Sequence, residues 1–380
     1  MKKLLSLLLV LATVLALCAC SAEPKEPNYI ANADDVAQLE ALYGGRTAYH
    51  GELHDHGDTG GTSDGNLTLA QWTENLNKLG LDFATIVDHK QLLHMDLGDW
   101  DDTIFIGGTE SSTNITDSKA TGKQMHYNMI FTDREAGEQV LKSFTEFKFQ
   151  EDENGEWHFS YPNFTTARFR QLIQAVKDAG GMFVFVHPKD GKRFISDDPL
   201  DYWFADYTGL EVFYVSKTDS RTKDNYKLWT DLLAAGKRLW ATAGYDGHAV
   251  TSTNTLTTIY AESKNAESYL NHAKVGDFST GGIGIRMVVG DTRMGSSTDF
   301  AGKRIVFCVD DFHSSQYDPT HTYRVKLITD QGTVMEQTFD PTTPFYYGQE
   351  ADEAAAFYRV EVIDEITGVL TAIGNPIWND

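Results

Sequence analysis

The sequence predicts an α/β fold: a closed (β/α) barrel followed by a small antiparallel β-sandwich. Two observations predict it. From about residue 47 to 290, short apolar runs alternate with amphipathic stretches. That repeated strand–helix order implies a parallel sheet, and at this length a closed one. From about residue 282 onward, closely spaced strands follow one another across Gly, Asp and Pro turns, with no convincing helix between them.

Taken in order, the chain begins "MKKLLSLLLVLATVLALCAC", a Lys pair, an apolar run and a small residue before a cysteine. This reads as an export signal over residues 1–20, too short for an ordinary spanning helix. Leu17, Cys18, Ala19 and Cys20 resemble a bacterial lipobox, so Cys20 is expected to carry lipid and anchor an exported, cell-surface or periplasmic lipoprotein to the membrane. A plain signal peptide is the alternative. Residues 21–45 are polar, carry Pro24 and Pro27, and read as a flexible tether. The barrel is expected over 46–281 and the sandwich over 282–380.

Two bulk properties narrow the function. The chain has three cysteines, of which only Cys308 lies in the expected folded region, so stability must come from a core and not from disulfides. The formal charge is -23, with 55 acidic residues against 32 basic. Such a surface repels polyanions and argues against nucleic acid as a partner. A small anionic substrate remains compatible wherever metal ions reverse the local field.

Within the barrel region, strands are expected in "LDFATIVDH" (81–89), "TIFIGGTE" (103–110), "QMHYNMIF" (124–131), "GMFVFVHP" (181–188), "GLEVFYV" (209–215) and "RLWATAGYDGH" (238–248). Helices are expected over 67–80, 166–181 and 224–237, each closing at or near a glycine, as helix C-termini often do.

The polar residues that end these strands carry the chemistry. Asp88 and His89, Glu110, His187, Glu211, Asp246 and His248 all fall at or just past predicted strand ends, and in a (β/α) barrel those ends converge on one face. The strand "TAYHGELHDH" ends in His54 and His56, and strand alternation points residues i and i+2 to the same side. Imidazoles and carboxylates together suit Zn, Mn, Fe or Co, and a carboxylate such as Glu110 is able to bridge two ions. Glu211 either lines the pocket or makes an ion pair inside the barrel. Lys192 and Arg193, in "PKDGKRFISDD", are placed to clamp a phosphate oxygen, with Arg221 a weaker candidate. His50, His94, His158, His272, His313 and His321 have no place in the pattern and read as surface or loop residues.

The order H-x-H, S-D-G, D-H, E, H, H-P, D-x-H over residues 47–290 resembles the PHP family of metal-dependent phosphoesterases, named for polymerase and histidinol phosphatase. The resemblance implies a distorted (β/α)7 barrel holding two or three divalent ions (Mn, Zn or Fe). It implies that His54, His56, Glu110 and Asp246 hold the first ion, that Glu110 bridges to a second held by His126 and His187, and that His89, His248 and Asp64 hold a third. Asp58 competes with Asp64, because "DTGG" lengthens the loop. Asp88 would orient a ligand imidazole. The C-terminal region, ending "AIGNPIWND", is similar to that of CehA/McbA-like metallohydrolases, a subgroup that includes enzymes cleaving carbamate or carboxylic esters.

The expected function is therefore ester hydrolysis, phosphoesters first, by a hydroxide bridging two ions, with Asp246 or His248 passing a proton to the leaving group. A carboxylic or carbamic ester hydrolase on the same ions is the alternative, with "DYWFADY" (201–207) supplying apolar walls. A lipoprotein that binds metal or a ligand without turnover is the third.

Overall fold

The structure is a computed structural model that describes residues 28–117, 124–152, 155–189, 204–249 and 252–380. The signal segment with Cys20, and Lys192 and Arg193, lie outside the described residues.

The first helix, α1 (Ala33–Tyr43), occupies a stretch expected to be part of the tether. Its start is written locally: the Asn32 side chain accepts from the Asp35 backbone and Asp35 answers at the Asn32 N–H, a reciprocal cap. Leu39 and Tyr43 are buried, and Arg304 clamps Asp35 with two bonds of 2.6 and 2.7 Å, so α1 is part of the folded body.

Seven strands follow in chain order: β1 (Thr47–Asp55), β2 (Phe83–Ile86), β3 (Phe105–Ile115), β4 (Met125–Phe131), β5 (Met182–Phe185), β6 (Thr208–Tyr214) and β7 (Leu239–Gly244). They lie side by side in that order within one large sheet. The helices between them are α2 (Leu69–Leu79), α3 (Arg134–Lys142), α4 (Thr166–Asp178) and α5 (Ser220–Ala234). Thr68 caps α2 with Gln71 as its reciprocal partner, and Gly80, at φ 69°, ends it in the left-handed conformation glycine adopts without strain. Helix α4 buries Phe169, Leu172, Ile173 and Val176, the i, i+3, i+4, i+7 face. Each such side chain contributes about 1.5–3 kcal/mol by leaving water.

One expectation fails here. The strands were expected to be all parallel, yet β4 runs antiparallel to both β3 and β5. A parallel neighbour needs a crossover of about a dozen residues or more, and residues 116–124 leave less chain than that between β3 and β4. At the far edge the sheet curls back on its start. The backbone N–H of Asp246 donates to His54 O at 2.9 Å and that of His56 to Gly247 O at 2.8 Å, tying the end of β7 to the end of β1.

Beyond β7 come β8 (Thr257–Ala261), α6 (Ala266–Ala273) and β9 (Phe278–Thr280), then β10 (Ile283–Val289), β11 (Arg304–Phe312), β12 (Tyr323–Thr329), β13 (Gly332–Phe339), β14 (Phe345–Glu350), β15 (Phe357–Asp364) and β16 (Leu370–Asn379). The large sheet continues from β1 through β8, β9, β16, β15 and β12 to β13, while β10, β11 and β14 belong to a second sheet of five strands. The pairings among these C-terminal strands are antiparallel, and Ile285, Met287 and Phe307 of one sheet share an apolar cluster with Val325, Val360 and Ile377 of the other. The chain is thus mixed α/β around one large central sheet with a strand-rich C-terminal part. Asn375, in the C-terminal motif, ties the two parts together: it accepts from the Ala241 N–H at 2.8 Å and donates to Phe278 O at 3.2 Å.

Candidate metal centre

Among the described residues, nine polar side chains converge at or just past the ends of β1, β2, β5 and β7, midway along β3 and at the start of β4. Because β4 is reversed, His126, the second residue of that strand, reaches the same mouth as residues at the ends of its neighbours.

The first group is His54, His56, Glu110 and Asp246. His54 Nε2 lies 3.3 Å from His56 Nε2, 3.4 Å from Glu110 Oε2 and 3.5 Å from Asp246 Oδ1; His56 Nε2 lies 3.3 Å from the same Glu110 oxygen and 3.2 Å from the same Asp246 oxygen. An ion about 2.0–2.2 Å from four tetrahedral ligands sets those ligands about 3.3–3.6 Å apart. The donors stand 3.2–3.5 Å apart, close to those separations, so the side chains fit a divalent metal ion.

Glu110 uses its other oxygen for a second group. Oε1 lies 2.6 Å from His126 Nδ1 and 3.2 Å from His187 Nε2. The third group is Asp64, His89 and His248, with His56 facing it: Asp64 Oδ1 is 3.2 Å from His248 Nε2 and Oδ2 is 3.5 Å from His89 Nε2. His56 Nδ1 stands 3.8 Å from Asp64 Oδ1, but a neutral imidazole has one lone pair, so with Nε2 committed to the first group it offers an N–H here. This third group is the most open of the three, Asp64 being 52% exposed. Asp64, and not Asp58, occupies the position; Asp58 is exposed and belongs to none of the groups.

Electrostatics show what the cluster attracts. Burial disfavours charge on His56, yet the carboxylates of Asp246 and Glu110 outweigh it and raise its pKa to about 10. Burial likewise pushes the Glu110 carboxyl up, but the imidazoles of His126, His187, His54 and His56 hold it well below the usual range. Such a set binds positive charge strongly, and a divalent ion entering it displaces protons.

The surrounding chain fixes these donors. Glu211, fully buried, faces Nδ1 of His54 at 3.0 Å with one oxygen and accepts the His187 N–H at 2.7 Å with the other. The tyrosine hydroxyl of Tyr214 donates to Asp246 Oδ2 at 2.8 Å, leaving Oδ1 for the first group. Four non-glycine residues at strand ends sit in the left-handed region: Lys90 (φ 59°), His187 (31°), Val215 (64°) and Asp246 (57°). Each such residue costs roughly 1–3 kcal/mol, held only where surrounding contacts over-determine it. Two of the four are candidate ligands.

Several expectations need correction. Asp88 touches no ligand imidazole in the three groups; it accepts the Gly57 N–H at 2.8 Å and the Thr59 hydroxyl and faces His94 Nδ1 at 3.2 Å, so it shapes the loop after the two histidines. Glu211 takes the orienting role expected of Asp88. His50, His94, His272 and His313 are buried and paired, His50 Nε2 lying 2.7 Å from Asp311, so they are interior histidines and not surface ones. In "DYWFADY", residues 201–203 lie outside the described residues; of the rest, Phe204 packs on Phe185 in the core and Tyr207 lies just before β6, at its far end from the metal groups, so these two do not wall the mouth. Arg221 stacks 4.6 Å over the Tyr214 ring and pairs with Asp219. Tyr161, whose hydroxyl is 3.5 Å from His89 Nδ1, was not anticipated; it comes from a segment with no strand or helix signal of its own.

Comparison with known proteins adds little. Neither a protein-family model nor a curated protein matches the sequence. Among solved structures the chain is similar to an amidohydrolase from Chromobacterium violaceum (17% identity, TM-score 0.35, covering 52% of this chain and 87% of that one). It is also similar to the lesion-specific endonuclease PfuEndoQ from Pyrococcus furiosus (16%, 0.41, 61% and 57%) and to Endonuclease Q in complex with a 27-mer duplex carrying an abasic lesion (15%, 0.38, 61% and 58%). The chain spans somewhat more than half the length of the two endonuclease chains. At these scores the likeness carries no argument about chemistry, which rests on the side chains.

Proposed function

We propose that the chain is a metal-dependent hydrolase of small esters, phosphoesters first, on a distorted (β/α)7 barrel of the PHP type and its CehA/McbA-like subgroup. The observation that carries this reading is Glu110, whose two oxygens face two separate imidazole groups. A structural carboxylate needs one partner; a carboxylate shared by two histidine groups suits two ions close together.

Bound divalent ions, two or three of Mn, Zn or Fe, would supply an acidified water and neutralise charge on the scissile group. The chain's residues would do the rest. His54, His56, Glu110 and Asp246 would hold the first ion, His126 and His187 the second with Glu110, and Asp64, His89 and His248 the third. Glu211 fixes the His54 tautomer by accepting a hydrogen bond from its Nδ1–H. Asp246 or His248, both at the open rim, passes a proton to the leaving oxygen. Lys192 and Arg193 bind the phosphoryl oxygens. Among the described residues Phe204 and Tyr207 do not reach the mouth, and a carboxylic or carbamic ester on the same ions is the second reading. The protein acts outside the cytoplasm, tethered by lipid on Cys20, on a small phosphorylated substrate and not on nucleic acid.

Elemental analysis of purified protein, with turnover of a phosphomonoester, a phosphodiester and an aryl ester in Mn or Zn, tests this. The expected result is at least two ions per chain and phosphoester cleavage abolished by Asp246→Asn. Fewer than two ions ends the reading. Faster aryl ester cleavage transfers it to carboxylic esters, and bound ions without any turnover to a binding lipoprotein.

A further inference from the structure

A second cleft lies behind the wall that carries the metal groups. Adjacent residues of β6 face opposite ways: Tyr214 reaches Asp246 at the mouth, while Phe213 lines a cleft of about 520 Å³ between α5 and the strands β12, β15 and β16. That volume suits a small organic molecule.

The charge in this cleft is opposite to that of the protein. Its lining has three lysines, Lys217, Lys223 and Lys326, and one carboxylate, Glu361, in a chain of 55 acidic and 32 basic residues. Glu361 is already engaged, accepting the Tyr226 hydroxyl at 2.6 Å and pairing with Arg359. Lys326 is shared with Glu336 at 3.3 Å on its outer side. Lys217 is the decisive residue. Half-buried, it donates to the Gly281 carbonyl at 2.7 Å, and no carboxylate among the described residues pairs with it. Loss of water around it lowers its pKa to about 7. Taking an ammonium out of water without a counter-charge is costly, and an anion supplied by a ligand would remove that cost. Lys217 also borders an adjoining hollow of about 260 Å³, so it stands at the junction of the two spaces.

The rest of the lining narrows the class of anion. Ile363, Val369 and Leu370 give the cleft an apolar side, and the cations are single ammonium points without an arginine fork aimed inward. Phosphate is polar on every side and finds no partner on an apolar wall, whereas a carboxylate on an apolar body satisfies one ammonium and that wall together. We propose that this cleft binds a small carboxylate with an aryl or alkyl body, its carboxylate on Lys217 and its body against Ile363, Val369 and Leu370. The site is separate from the metal groups and needs no metal.

Calorimetric titration of the full metal-loaded protein with benzoate, benzyl alcohol and inorganic phosphate tests it. Saturable benzoate binding is expected, at least tenfold tighter than either comparison compound. Lys217→Met should weaken benzoate at least tenfold while metal content and ester turnover stay as in the parent, and Lys326→Gln should weaken it severalfold. The second variant decides the matter if the first fails to fold. Benzoate affinity unchanged in the folded variants would place it elsewhere, including on the metals, and overturn the proposal. Benzyl alcohol or phosphate binding as tightly as benzoate would overturn the assigned class.

Discussion

Glu211 Oε1 lies 3.0 Å from Nδ1 of His54, so one buried carboxylate decides which nitrogen of the first imidazole faces the metal group. Its other oxygen holds the His187 backbone, which stands in the left-handed region, and thus ties the first group to the second. Replacing Glu211 by Gln keeps the volume but weakens both constraints. Metal affinity or turnover should fall about 10–100-fold, as when other outer partners of ligand histidines are removed. Competition with a chromophoric chelator measures this; unchanged affinity would show that Glu211 is a bystander.

Gly244 makes that contact sterically feasible. A Cβ there would stand 1.9 Å from Glu211 Oε1 and 2.8 Å from His54 Cβ. Gly244→Ala should therefore displace Glu211 and reproduce the loss expected of Glu211→Gln, with little change in circular dichroism. Because both variants break one contact, their combination should cost scarcely more than either alone. Additive losses in chelator competition would mean that Gly244 acts some other way.

The three groups should also come apart by mutation. Asp64 belongs to the open third group, where His56 presents only an N–H, whereas Glu110 faces donors of the first and the second with its two oxygens. Asp64→Ala should remove one ion and leave the others, while Glu110→Gln should remove at least one more, since both of its oxygens are used. Elemental analysis of the two variants beside the parent reads this directly. Equal loss in both would mean that the groups fill cooperatively.

The convergence of these residues could be read from the sequence because its causes are local. His54 and His56 share a face through strand alternation, and Asp246 follows an apolar run whose end position is set by strand length. What escaped reading depends on long-range geometry. The reversal of β4 is set by how much chain separates it from β3. The role of Glu211 required knowing that β6 lies across from β1, and Asp88 and Glu211, both carboxylates at strand ends, are indistinguishable until strand order is known. The buried histidines escape the sequence for the same reason: His50 meets Asp311, distant by 261 positions, only through the tertiary fold. Helix α1 follows a stretch whose Pro24 and Pro27 point to a tether, although its cap, Asn32 with Asp35, is as plain as that of α2.

That helix offers a test of its own. Arg304 clamps Asp35 through two bonds and, against the opposing effect of burial, holds its carboxyl below the ordinary value of 3.8. A carboxyl with a lowered folded-state pKa contributes stability that is complete above its unfolded value and is lost as pH falls through the folded one. Asp35→Asn should therefore destabilise the docking of α1 by about 2 kcal/mol near neutral pH, the scale of charged hydrogen bonds. The difference should persist at pH 5 and shrink as the pH drops below about 4. Hydrogen exchange of the α1 amides, compared between parent and variant across that range, measures it. A difference that stayed constant down to pH 3 would assign the effect to the lost helix cap and not to the charge on Asp35.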